Sequence, residues 1–242
     1  MELIFLEEVG STNAYVKQHM SELSDSTVVY TSHQTDGRGR LNRKWIDTGN
    51  ENIYMTFCLK PSCDFMEVYS NLTQYLSVVL CKTLEKYGIE PKIKWPNDVL
   101  VNGKKIAGIL SETSMQGTMF KGIALGIGVN LNTPKTLLDT IDKPATSLSV
   151  ELKKEINRDE FLNSLVDEFF SGYDLFLKTG FSMIRDFYLN HASFLNTNIN
   201  VNVLGNIESG CAVDITQEGA LILEKNNIRN TLLIGDILWM NC

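Results

Sequence analysis

The pair Asn102-Gly103 constrains the fold of this chain more than any other two residues. It sits between two apolar, β-prone runs, Val99-Leu100-Val101 and Ile106-Ala107-Gly108-Ile109-Leu110. Asn-Gly tolerates the positive φ that a two-residue turn requires, so a tight hairpin is predicted here. Further strands are expected at Leu3-Ile4-Phe5-Leu6, at Val28-Val29-Tyr30 and along Ile53 to Leu59. Another runs from Met119 to Leu131, with Ser114-Met115-Gln116-Gly117-Thr118 as the turn before it.

Helices punctuate these strands. Ser11-Thr12-Asn13 offers capping side chains to a helix reaching about Met20. Leu72, Leu76, Val79, Leu80, Thr83, Leu84 and Tyr87 recur at three- and four-residue spacing and predict a helix that stops at Gly88. Phe161, Leu162, Leu165, Val166, Phe169, Phe170 and Tyr173 mark a second, and Met183, Ile184, Phe187 and Tyr188 a third. Residues 133–150 are expected to be mostly loop. After about residue 195 the texture changes. Ile199-Asn200-Val201-Asn202-Val203 alternates strictly, and short apolar runs lie between Gly205, Gly210, Gly219 and Gly235. That spacing predicts a small β-barrel and places a domain junction near Phe194–Asn198.

Bulk properties exclude several classes. No stretch of the 242 residues approaches the roughly 20 apolar residues of a membrane span. The start, Met1 to Glu8, lacks the basic and long apolar regions of a signal peptide, so a cytoplasmic location is expected. Five scattered cysteines without a C-x-x-C pair read as reduced thiols, and His19, His33 and His191 form no metal-spaced set. A net charge of −7 argues against a nucleic-acid partner. Against that background, four basic residues within Arg38 to Lys44 stand out.

Gly37-Arg38-Gly39-Arg40-Leu41-Asn42-Arg43-Lys44-Trp45 therefore carries the most information about function. Its glycines permit unusual backbone angles and close approach to a ligand. Its guanidiniums suit carboxylate or phosphate, and Trp45 supplies a flat face for stacking. A solvated basic loop is the plain alternative. A second segment, Lys94-Trp95-Pro96-Asn97-Asp98, enters the hairpin, where a turn role competes with a chemical one. Lys105 begins a buried-looking strand and precedes Ala107-Gly108, small residues that leave room for a ligand. Gly126-Ile127-Gly128-Val129-Asn130 closes the next strand, and Asn130 is either a turn residue or a directional contact for a ring. Neither a G-x-x-x-x-G-K-[ST] loop nor a complete dinucleotide fingerprint occurs.

Together with Ser11-Thr12-Asn13, Gln34 and Ala145-Thr146-Ser147-Leu148, these segments resemble biotin–protein ligases, in order and over nearly the whole chain. The resemblance implies an α+β fold. A mixed β-sheet flanked by helices, like a class II synthetase or biotin–lipoate ligase catalytic domain, would span 1–194, and an SH3-like β-barrel 195–242. It implies that biotin and MgATP give biotinyl-5′-AMP, with transfer to a lysine of a biotin carboxyl carrier domain such as that of acetyl-CoA carboxylase. Biotin would be bound by Ser11, Thr12, Asn13, Gln34, Gly37, Arg38, Gly39, Arg40, Lys105 and Gly108. Arg40, Arg43, Trp45, Lys105 and Asn130 would hold the ATP or adenylate, with Lys105, Arg40 and Asp98 in catalytic roles. Asp98 would orient and partly deprotonate the incoming lysine. Magnesium is implied by the ATP chemistry, with no protein ligand assigned.

The motifs begin by residue 11, so no preceding winged helix and no operator binding are expected. Trp239-Met240-Asn241-Cys242 departs from relatives that carry a basic residue near this end. A homodimer is left open. The rivals are a lipoate or octanoate ligase or transferase of the same fold, and a non-catalytic binding module.

Overall fold

A computed structural model describes residues 1–49, 52–61 and 70–238. Cys63 and the Trp239–Cys242 segment lie outside the described residues. By contacts the chain forms two compact units, Met1–Asp64 with Val101–Val166 and Phe65–Leu100 with Asp167–Cys242.

The first unit is built on a mixed sheet. Its strands are β1 (Glu2–Val9), β2 (Thr27–Gln34), β3 (Ile53–Leu59), β6 (Lys104–Gln116) and β7 (Met119–Val129), in the order β1-β2-β3-β7-β6. β1 and β2 run parallel, joined by α1 (Thr12–Gln18), and every other neighbouring pair is antiparallel. Two parallel strands need such a crossover. Val16 of α1 and Met20 just beyond it pack on Val29, Cys58 and Ala124, which covers part of one face of the sheet. All seven residues of β3 are buried, so this central strand is covered on both faces.

The second unit holds the β4–β5 hairpin (Lys92–Lys94 and Asp98–Val101) and α2 (Leu72–Glu85), most of whose residues are buried. It also holds the later part of α5 (Arg158–Thr179) and all of α6 (Arg185–His191). Tyr75 of α2 stacks on Phe176, with centroids 4.4 Å apart, and its hydroxyl donates to the Phe169 carbonyl at 2.6 Å. A second, antiparallel sheet comprises β8 (Asn198–Val203), β9 (Asn206–Ile215), β10 (Leu221–Lys225), β11 (Ile228–Leu232) and β12 (Asp236–Ile237). Its order, β11-β10-β9-β8-β12, agrees with an SH3-like C-terminal domain. Among the described residues that order is open, with β12 as its last strand.

Asn102 and Gly103 adopt φ of 50° and 74°, the left-handed pair that the hairpin required. Two local expectations change. The turn expected over 114–118 shrinks to Gly117-Thr118, because Gln116 still pairs with Met119 and Gly117 alone supplies positive φ. Residues 133–150 are mostly loop, as expected, broken by two short helices, α3 (Lys135–Leu138) and the start of α4 (Leu148–Leu152). Ser11 occupies the N-cap of α1, yet its side chain makes no capping bond. Among the described residues Cys58, Cys81 and Cys211 are free thiols, as expected, and no helix is long and apolar enough to cross a membrane.

Candidate active site

The floor of the site is set by sheet register. Gly108 of β6 faces Gly128 of β7, and Leu110 faces Gly126. Gly126 in turn faces Thr56 of β3, and Gly128 faces Tyr54. Cross-strand partners point to the same side of a sheet, so two rows with glycine at their centre lie side by side. The room that Gly108 and Gly128 leave is entered here by the protein's own side chains. A Cβ on Gly128 would lie 2.6 Å from the Trp45 ring, and one on Gly108 would lie 2.9 Å from both Trp45 and Lys105 Nζ. The space is taken by the protein's own indole and ammonium. Lys105 Nζ sits 5.4 Å from the Trp45 ring centroid, within range of a cation–π contact. The Trp45 indole N–H is buried with no hydrogen-bond partner among the described residues.

The Gly37–Trp45 loop is closed on itself. Trp45 N donates to Gly37 O at 2.9 Å, Gly39 N donates to Arg43 O at 2.8 Å, and Arg38 bridges Lys44. Arg40 begins the 3₁₀ turn Arg40–Asn42. Gly37 is required by close approach, since a Cβ there would meet the Trp45 carbonyl at 2.7 Å. Gly39 is extended (φ −118°) and has room for a Cβ, whereas Leu41 takes φ 54°. The unusual angle expected of a glycine thus falls on an ordinary side chain. Arg38 pairs with Asp36 at 2.9 Å, and that hydrogen bond and charge raise its pKa. Arg43 is exposed, and Trp45 is half-buried. Beyond Trp45, Asp47 accepts from the Tyr54 hydroxyl at 3.0 Å, which anchors the exit of the loop to β3.

At the other row, Ser11, Thr12 and Asn13 are each no more than 4% exposed. Thr12 N donates to Gln34 Oε1 at 2.9 Å, so Gln34 supplies the cap that Ser11 does not. Thr56 Oγ1 lies 2.8 Å from Thr12 Oγ1 and 2.7 Å from Asn13 Oδ1. Asn13 Nδ2 donates to Leu110 O at 3.2 Å and to Glu112 Oε2 at 3.0 Å. Glu112 also receives Lys17 Nζ at 2.7 Å. Burial alone would raise the Glu112 pKa, but hydrogen bonds from Lys17 and Asn13 and the charges of Lys17 and Arg38 together hold it below the usual value.

The ends of β6 and β7 fix the remaining residues of this unit. Lys105 N donates to Pro144 O, and Lys105 O accepts from Thr146 N, both at 2.9 Å. Asn130 is buried, with Nδ2 donating to Thr146 O at 3.1 Å. The segment Ala145–Leu148 is therefore a strap across both strand ends. Asp98 belongs to the second unit, where its carboxylate lies 3.7 Å from Lys94 Nζ and both side chains are largely buried. In the same unit Trp95 Nε1 and Gln74 Nε2 donate to Gly219 O at 3.3 and 2.8 Å. Among the described residues, no group of three or more His, Cys, Asp or Glu gathers to hold a metal.

Residues 5–130 match the Biotin/lipoate A/B protein ligase family. The chain belongs to that family. It is 33% identical to the biotin--[acetyl-CoA-carboxylase] ligase of Paracoccus denitrificans over 227 residues, covering 90% of this chain and 92% of that protein. It is 32% identical to the bifunctional ligase/repressor BirA of Bacillus subtilis over 215 residues. That match takes in 88% of this chain and 66% of the relative, just under two thirds of its length. Among solved structures, the biotin protein ligase from Aquifex aeolicus in complex with biotin and ATP superposes with a TM-score of 0.82 at 26% identity. The superposition covers 98% of this chain and 97% of that one.

Three further side chains, Thr56, Glu112 and Lys17, join this hydrogen-bond network. Thr56 left a trace, as the single polar residue in Ile53-Tyr54-Met55-Thr56-Phe57-Cys58-Leu59. Glu112 and Lys17 left none, because their meeting depends on residues 95 positions apart.

Proposed function

We propose that this chain is an ATP-dependent ligase that converts biotin to biotinyl-5′-AMP and passes the biotin to a lysine of a carrier domain, as in acetyl-CoA carboxylase. One observation carries the reading. The polar network over the Gly126 row and the Trp45–Lys105 pair over the Gly128 row lie two residues apart along β7, about 7 Å. A short aliphatic linker between a hydrogen-bonding head and a carboxylate spans that distance. The named relatives and the Aquifex complex with biotin and ATP support the same reading.

In the first step the biotin carboxylate attacks the α-phosphorus. A carboxyl–phosphate bond forms, the bond to the β-phosphate breaks, and pyrophosphate leaves. Two anions must approach, so cations that neutralise and align them lower the barrier. Lys105 is the proposed bridge between the carboxyl oxygen and the α-phosphate, and Arg40 the proposed clamp on the mixed anhydride. Ser11, Thr12, Asn13, Gln34, Gly37, Arg38, Gly39 and Gly108 line the acid's path, while Arg43, Trp45 and Asn130 face the nucleotide. In the second step the carrier lysine attacks the acyl carbon, AMP leaves, and the amine loses a proton. Making that lysine neutral costs roughly 4–5 kcal/mol at neutral pH, and Asp98 is the proposed group that orients it. Magnesium travels with the triphosphate in this reading, with no residue assigned to it. In this reading residues 195–242, which carry the second sheet, are a small C-terminal domain, and the enzyme works in the cytoplasm.

The test is incorporation of labelled biotin into a carrier domain, with lipoate in parallel. ATP-dependent biotin incorporation that falls at least 100-fold in Lys105→Ala is expected, on the scale of a lost transition-state contact. Lipoate incorporation in place of biotin would replace this reading with the lipoate ligase of the same family.

A further inference from the structure

We propose that Glu112 and Thr56 are positioning residues that orient the hydrogen-bonding groups meeting the head of the acid, acting through Asn13 and Thr12. The inference rests on the reading that this site takes biotin. Three acceptors surround Asn13 Nδ2: Leu110 O, the Glu112 carboxylate and, at 3.5 Å, Ala124 O. The amide can be placed only one way, with Oδ1 toward Thr56. Thr56 has a single hydroxyl proton. Asn13 Oδ1 can only accept, whereas Thr12 Oγ1 can also donate, so the proton of Thr56 goes to Asn13. Thr12 then donates its one hydroxyl proton to Thr56, and its backbone N–H fixes Gln34 with Oε1 toward α1. Gln34 Nε2 is left on the side of Gly37. The network therefore has a direction, and it ends in a donor that an acceptor on the ligand would match. A ureido ring supplies one through its carbonyl, and an alkyl chain supplies none.

Glu112 adds charge to this arrangement. Its carboxylate is bound by Lys17 and Asn13, and Arg38 is the other cation acting on it. Charge-assisted hydrogen bonds are the stronger kind, so Asn13 is held more firmly than by backbone carbonyls alone. The Asn13 amide also fills the space over Gly126, which leaves it no alternative seat.

The experiment is biotin-dependent ATP–pyrophosphate exchange with the full chain, measured for the wild type, Thr56→Val, Glu112→Gln and Glu112→Ala, with a thermal melt of each. Thr56→Val keeps shape and removes only the hydroxyl. Thr56→Val and Glu112→Ala are expected to raise the KM for biotin about tenfold or more, with the KM for ATP changed less than about threefold. Glu112→Gln keeps an acceptor for Asn13 and is expected to fall between wild type and Glu112→Ala. An unchanged KM for biotin in Thr56→Val overturns the inference. So does a parallel loss of Tm, kcat and both KM values, which marks a merely structural role. Absence of exchange in the wild type is a different failure, since it removes the biotin reading itself and this inference with it.

Discussion

Glycine at this site supplies space rather than backbone freedom. Gly37, Gly108, Gly126 and Gly128 are needed for the space a Cβ would take, and none of them for left-handed backbone. Gly128→Ala is expected to lift the indole off the floor and to cost about 1–3 kcal/mol of stability as overpacking. The KM for ATP should rise with it, and an unshifted melt with normal kinetics would contradict the packing described. Glu112 gives a prediction with a sign. Despite the opposing effect of burial, its partners hold its folded pKa below the ordinary 4.5. Its ionised form therefore favours the folded state, fully so above about pH 4.5, and the contribution is lost as pH falls through the lowered value. Glu112→Gln should flatten the acid limb of a stability-versus-pH curve, and an unaltered limb would argue against it. At this scale the sequence is readable where residues lie close together, as from Gly37 to Trp45. Asn13, Thr56 and Glu112 meet across gaps of 43 and 99 positions, which no local pattern encodes.

The Gly37–Trp45 loop behaves as an element in its own right. Its ends are tied by the Gly37–Trp45 bond, and its tip carries Leu41 at φ 54°, where a β-carbon is unfavourable and the side chain is exposed. Leu41→Gly should leave the unfolding free energy unchanged or raise it by up to about 1 kcal/mol, because relief of strain offsets the added chain entropy. A clear drop would mean that the Leu41 side chain is held by something else. Protease cleavage around Arg38–Arg43 should slow when biotin and ATP are added, and equal rates would count against ordering of the loop by ligand. Elements with strong periodicity are legible in the sequence, as α2, α5 and the Asn102–Gly103 turn demonstrate. The cap of α1 is not. Gln34 reaches it from the end of β2, and a side chain arriving from another strand is invisible to a rule about neighbours.

The whole molecule interleaves its two units along the chain, each drawn from two separate stretches. Asn71, Gln74 and Trp95 spend their side-chain donors on the carbonyls of Glu218 and Gly219. Removing residues 195–242 should therefore lower the melting temperature of what remains, because those buried donors lose their partners. A truncated chain with an unchanged melt would show that the second sheet is an independent appendage. The same interleaving has a consequence for synthesis on the ribosome. β3 emerges early, but its partner β7 cannot reach it until residues 65–100 and all of β6 have been made. At about 5–20 residues per second that is a wait of several seconds. Throughout it, an apolar strand destined for burial on both faces stands with one edge unpaired. An unpaired apolar strand is open to aggregation in that interval.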